Sequence, residues 1–134
     1  MKILGIEHVA IALQEASQAR QLFGALLGLK DAGEEEVAGQ QVMTHIFNTG
    51  GGKVELLTPT SVDSPISKFL DKRGARLHHL AFEVDDLQAW LTHLKGRGIE
   101  LIDEQPRLGA EGNQIAFLHP KSTCGVLIEL CQKH

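Results

Sequence analysis

Four residues of this chain pair a chemically able side chain with an unexpected setting. His8 interrupts the alternating run IEHVAIAL (Ile6 to Leu13), and His79 interrupts LHHLAFEV (Leu77 to Val84). Glu55 breaks the apolar run of Val54, Leu56 and Leu57, and Glu129 breaks that of Val126, Leu127, Ile128 and Leu130. An ionised carboxylate is expensive to bury unless it is paired or bound to a cation. Two such intrusions, each matched by an in-strand histidine, point to one divalent metal held by two imidazole nitrogens and two carboxylate oxygens. A mixed nitrogen and oxygen set suits zinc, cobalt, nickel or manganese better than a soft-metal site. Coordination positions left to water or substrate would make the ion a Lewis acid. Singly, a strand histidine is usually a hydrogen-bonded core residue and a strand glutamate a solvated one. It is their joint placement in a repeated frame that carries the metal reading.

The frame is a duplication. A strand over Lys2 to Leu13 leads to a helix from Ala16 to Leu27, with Ala16, Ala19, Leu22, Phe23, Leu26 and Leu27 on its apolar side and Gly28 as its stop. Strands over Leu29–Val37, Gln41–Asn48 and Lys53–Thr58 follow, the glycines 50–52 forming a turn. Ser64 and Pro65 open a short helix to Leu70. The order then repeats: a strand over Leu77–Val84, a helix over Asp86–Arg97 stopped by Gly98, and strands over Ile99–Glu104, Asn113–Leu118 and Gly125–Cys131, with Pro106–Gly112 as a loop. In the strands that open each half, His8 shares a face with Ala10 and Ala12, as His79 does with Ala81. The predicted fold class is α+β, with two tandem βαβββ modules at about 1–60 and 75–134 in one domain of 134 residues.

Composition narrows the function classes. A formal net charge of −4 with no basic cluster argues against nucleic acid. No apolar run approaches the length of a membrane span, and a chain that opens directly on a strand is expected to carry no signal peptide. Cys124 and Cys131 form no CxxC motif and are expected to be reduced thiols of a cytoplasmic protein.

Other candidates are weighed the same way. His45 lies on the third strand, near the presumed cavity, and is retained as a catalytic candidate. His78 points to the face opposite His79 and reads as structural, whereas His93 and His134 read as solvent-facing. Asp85-Asp86 reads as a helix cap. Gly50-Gly51-Gly52 lacks the lysine and the strand-loop-helix setting of a phosphate loop. Neither a Gly-x-Ser-x-Gly elbow nor an activated-cysteine motif is present.

The stretches IEHVAIA, KVELLTP, DSPISKFL, LHHLAFEVDDL and AFLHPKSTCGVLIEL are spread over nearly the whole chain. On them the sequence resembles the vicinal oxygen chelate superfamily and, within it, the methylmalonyl-CoA epimerase family. The resemblance implies a cupped mixed sheet of paired βαβββ modules around a metal. It implies ligands at His8, Glu55, His79 and Glu129, and one divalent ion, cobalt first, with manganese, zinc or nickel as alternatives. It implies epimerisation of (R)- and (S)-methylmalonyl-CoA by removal and return of the α-proton, with Glu129 as one proton carrier. Glu55, His45 and a metal-bound water stand as alternatives for the other, because Thr44 occupies the region where some family members carry a third-strand glutamate. An acyl-CoA substrate calls for cations at the rim, among Arg73, Arg76, Arg107 and Lys121, with Lys121 of the HPKS turn first. A homodimer is also expected. Glyoxalase I, which has the same ligand types, and a non-catalytic small-molecule-binding protein of the same fold are the rival readings.

Overall fold

The computed structural model describes residues 1–134. The strands are β1 Ile3–Ala12, β2 Lys30–Val37, β3 Val42–Asn48, β4 Lys53–Pro59, β5 Arg76–Val84, β6 Arg107–Leu108, β7 Gln114–Leu118 and β8 Ile128–Gln132. The helices are α1 Ser17–Arg20, continued by a π-helical stretch over Gln21–Leu26, then α2 Pro65–Arg73 and α3 Leu87–Gly96. The βαβββ order therefore occurs twice, with α2 between the repeats, and the class is α+β.

The chain divides into two compact units, Val9–His78 and a discontinuous one made of Met1–His8 with His79–His134. The first half of β1 thus belongs with the second repeat.

In the Val9–His78 unit the strand order is β2-β3-β4-β1. The β3–β4 pair is antiparallel, with His45 opposite Leu56 and Ile46 opposite Glu55. Ala10, Ala12, Val42 and Leu57 pack with Ile66 and Leu70 of α2. Ser64, fully buried, caps α2 by accepting the Ile66 N–H at 3.1 Å. Such a cap stabilises a helix by about 1 kcal/mol. On the other face, Phe23 lies against Phe47, with ring centroids 6.3 Å apart. Helical periodicity predicted a buried apolar side for residues 16–27, yet Leu26 is 71% and Leu27 59% exposed. The helix widens into its π stretch, in which the Leu27 N–H reaches back to the Leu22 carbonyl at 2.8 Å. Gly24 in that stretch sits so close to Phe47 that an added Cβ would stand 3.2 Å from its ring.

In the discontinuous unit the order is β1-β5-β8-β7-β6. β5 and β8 run parallel, with Ala81 beside Glu129. Leu87 and Leu91 of α3 bury themselves against Val84, Ala116, Leu118 and Leu130, and truncating either leucine would cost about 2–5 kcal/mol. Asp86 caps α3 by accepting the Ala89 N–H at 3.0 Å. Asp85 does something else: its carboxylate accepts the backbone N–H of Lys2 at 2.8 Å and ties the start of the chain to the end of β5.

The strand predicted over Ile99–Glu104 is a single bridge between Leu101 and Leu118. The Asp103 carboxylate accepts the Phe117 N–H at 2.8 Å, so a side chain takes the ladder position and pairing does not propagate. Pairing resumes at Arg107–Leu108, opposite Ile115 and Gln114, inside the segment predicted as loop.

Candidate metal centre

The parallel register of β5 and β8 places His79, two residues before Ala81, on the same face as Glu129. Ile128 and Leu130 turn the other way, toward α3, and Cys131 joins Ile115, Phe117 and Leu127 on the Glu129 face. β1, the neighbour of β5, brings His8 to the same place.

The three side chains converge. His8 Nε2 lies 2.9 Å from His79 Nε2 and 3.7 Å from Glu129 Oε2, and His79 Nε2 lies 3.2 Å from Glu129 Oε1. All three are at most 7% exposed. Phe117 closes on the His79 ring edge-to-face at 5.1 Å. Burial holds the His79 imidazolium well below its ordinary pKa, against the opposing pull of the Glu129 hydrogen bond and charge. The neutral ring is the form with a lone pair to offer a metal.

A divalent ion fits this arrangement. Two imidazole nitrogens and one carboxylate oxygen, all from buried residues, lie within 4.8 Å of one another, a borderline donor set of the kind zinc, cobalt or manganese accepts. A buried carboxylate facing two ring nitrogens is the setting in which a cation relieves rather than adds cost.

Glu7 was not among the sequence candidates. Its Oε1 lies 2.7 Å from His8 Nδ1, the nitrogen turned away from the cluster. The signal that would have found it is an acidic residue immediately before a strand histidine, in a strand too apolar to waste one.

Glu55 belongs to the Val9–His78 unit, where it is 4% exposed on β4. His45 is buried and pairs across the ladder with Leu56, whereas Glu55 pairs with Ile46, so His45 and Glu55 occupy opposite faces. Its ring packs on Phe47, and its Nε2 lies 3.0 Å from Asp31 Oδ1. Alternation along β3 explains the difference: Thr44 and Ile46 take the Glu55 face, His45 and Phe47 the face that meets Phe23. Lys121, two-thirds exposed, holds an ion pair with Glu100 at 3.2 Å. His78 packs edge-to-face on Phe69 at 4.7 Å, a structural role as expected. Neither cysteine forms a disulfide, Cys124 being exposed and Cys131 buried. No helix is long and apolar enough to cross a membrane.

Comparison with known proteins places this geometry in a family. Residues 7–117 match the model of the Glyoxalase/Bleomycin resistance protein/Dioxygenase superfamily. The chain is 38% identical over 128 residues to human mitochondrial methylmalonyl-CoA epimerase, covering 95% of this chain and 73% of that protein. It is 34% identical over 129 residues to the ethylmalonyl-CoA/methylmalonyl-CoA epimerase of Cereibacter sphaeroides, covering 95% and 96%. Among solved structures, Streptomyces coelicolor methylmalonyl-CoA epimerase in complex with 2-nitronate-propionyl-CoA superposes with a TM-score of 0.91 at 31% identity, over 98% of this chain and 99% of that one. The chain therefore belongs to the Glyoxalase/Bleomycin resistance protein/Dioxygenase superfamily, and its relatives there include methylmalonyl-CoA epimerases.

Proposed function

We propose that this protein interconverts (R)- and (S)-methylmalonyl-CoA by moving the α-proton, with one divalent metal, cobalt first, held by His8, His79, Glu129 and Glu55. The observation that carries this reading is the convergence of His8, His79 and Glu129 into one buried cluster, in a chain related to epimerases of that substrate. Glu55 joins the set as the buried carboxylate of the first repeat, in the position Glu129 holds in the second.

The α-proton of a malonyl thioester is flanked by two carbonyl carbons, and it leaves only if the negative charge that develops on oxygen is stabilised. A bound divalent ion supplies that stabilisation electrostatically. The protein's own groups do the rest. Glu129 is the one carboxylate of the cluster, and we assign it the transfer of a proton at the α-carbon. Epimerisation needs a second carrier on the opposite face of that carbon. Thr44 has no basic group and His45 occupies the face opposite Glu55's, so we assign the second transfer to Glu55. Glu7 keeps His8 in place, and Phe117 shields the His79 ring. Lys121 is assigned to the phosphates of CoA, exchanging its Glu100 partner for substrate. The protein is expected to work as a cytoplasmic homodimer, which sedimentation at micromolar concentration and cell fractionation would test.

The deciding experiment incubates metal-loaded protein with (R)-methylmalonyl-CoA and, separately, with methylglyoxal plus glutathione. Epimer formation in the first, abolished by chelation and restored by Co²⁺ or Mn²⁺, is the expected outcome. Turnover only in the second would transfer the assignment to glyoxalase I. Full activity in metal-free protein would remove the metal from the mechanism, and no turnover in either would favour a binding protein.

A further inference from the structure

We infer that Glu7 is a positioning residue: its carboxylate keeps the His8 proton on Nδ1, so that the Nε2 lone pair faces the metal position. The inference rests on the metal centre proposed above and concerns how one of its ligands is prepared.

An ionised carboxylate can only accept a hydrogen bond. Glu7 Oε1 stands 2.7 Å from His8 Nδ1, a normal to short distance for a charge-assisted bond, so the proton belongs on Nδ1. A neutral imidazole has one proton to place, and Nε2 is then left with its lone pair. That nitrogen is the one turned toward His79 and Glu129. Without the carboxylate, His8 could equally carry its proton on Nε2, where it would block coordination.

The carboxylate is itself held. Both Glu7 and His8 are 4% exposed, so neither partner is exchanged for water. The second oxygen, Oε2, lies 3.4 Å from Lys133 Nζ, and the same ammonium lies 3.5 Å from Glu83 Oε1. Lys133 follows β8 directly, so the strand that supplies Glu129 also supplies the cation beside Glu7. A buried carboxylate with one oxygen on a histidine and the other near a lysine is costly to keep for folding alone. Its orientation of a metal-facing ring gives that cost a purpose, since outer partners of this kind are worth about 10–100-fold in metal affinity.

The test compares wild type with Glu7→Gln, which keeps the shape but can either donate to or accept from Nδ1. Co²⁺ affinity is measured by competition with a chelator, and the ¹⁵N shifts of the His8 ring are recorded in metal-free protein. The expected result is an Nδ1–H tautomer in wild type and a Kd for Co²⁺ raised about 10–100-fold in the variant. An unchanged Kd in a folded variant would overturn the inference, with the metal centre left standing. A wild-type His8 found in the Nε2–H tautomer overturns it too, and that reading needs no variant to fold. Wild-type protein that binds no Co²⁺ would sink this inference and the metal centre together.

Discussion

His8 Nε2 and His79 Nε2 face one another at 2.9 Å across 71 positions of sequence. No local preference could bring two such residues together. β1 and β5 do it by lying side by side, and β8 then adds Glu129 from the far side of β5. The cluster is thus built across neighbouring strands, on elements more rigid than loops.

Glu129 is expected to do more than bind. Glu129→Gln keeps the shape but removes the charge and most of the basicity. At metal saturation verified by elemental analysis, exchange of the substrate α-proton with D₂O should fall by about 10²–10⁴-fold. Near-wild-type exchange in the loaded variant would leave Glu129 a ligand only and pass the proton to Glu55.

Acid should weaken the metal-free protein through His79. Burial lowers its folded pKa below the ordinary 6.5, so the unfolded chain takes the proton first as pH falls. The stability contributed by the neutral ring is therefore full above 6.5 and is lost as pH drops through the folded value. Urea midpoints measured on either side of that range should fall for wild type and fall less for His79→Gln. Equal acid losses would reject His79 as the source.

His45 should matter to folding and not to turnover. Its ring packs on Phe47, on the face of β3 opposite Glu55's. His45→Ala should cost about 0.5–3 kcal/mol, the ordinary range for a buried side chain, and leave kcat within about 2-fold of wild type. A collapse of kcat in a folded variant would restore His45 to the chemistry.

Lys121 should affect binding of the CoA portion alone. Lys121→Ala is expected to raise KM roughly 2- to 5-fold with kcat unchanged, the size of an exposed charge contact. An unchanged KM would assign Lys121 to its Glu100 pair and nothing further.

The site was legible in the sequence wherever a polar residue broke an apolar pattern. His8, His79, Glu55 and Glu129 all did so, and each is buried. The cap at Asp86 was legible for a local reason, because an aspartate directly before a helical pattern is a favoured N-cap. Other features had no such signal. Glu7 looks like an ordinary solvated residue until its partner His8 and its clamp Lys133 are seen in space. A period of 3.6 cannot register the widened turn at Gln21–Leu26. The absent strand at Ile99–Glu104 turns on one carboxylate, Asp103, which takes a bond that periodicity assigns to backbone. The face that His45 takes depends on its register with β4, which the sequence pattern does not print.

The discontinuous unit has a consequence for biosynthesis. Met1–His8 is made before the residues it packs with, which begin at His79. The continuous stretch Val9–His78 can fold as it emerges, while His8 waits for β5 and then for Glu129 on the last strand. Any ion held by His8, His79 and Glu129 together is accordingly captured only after β8 has been made.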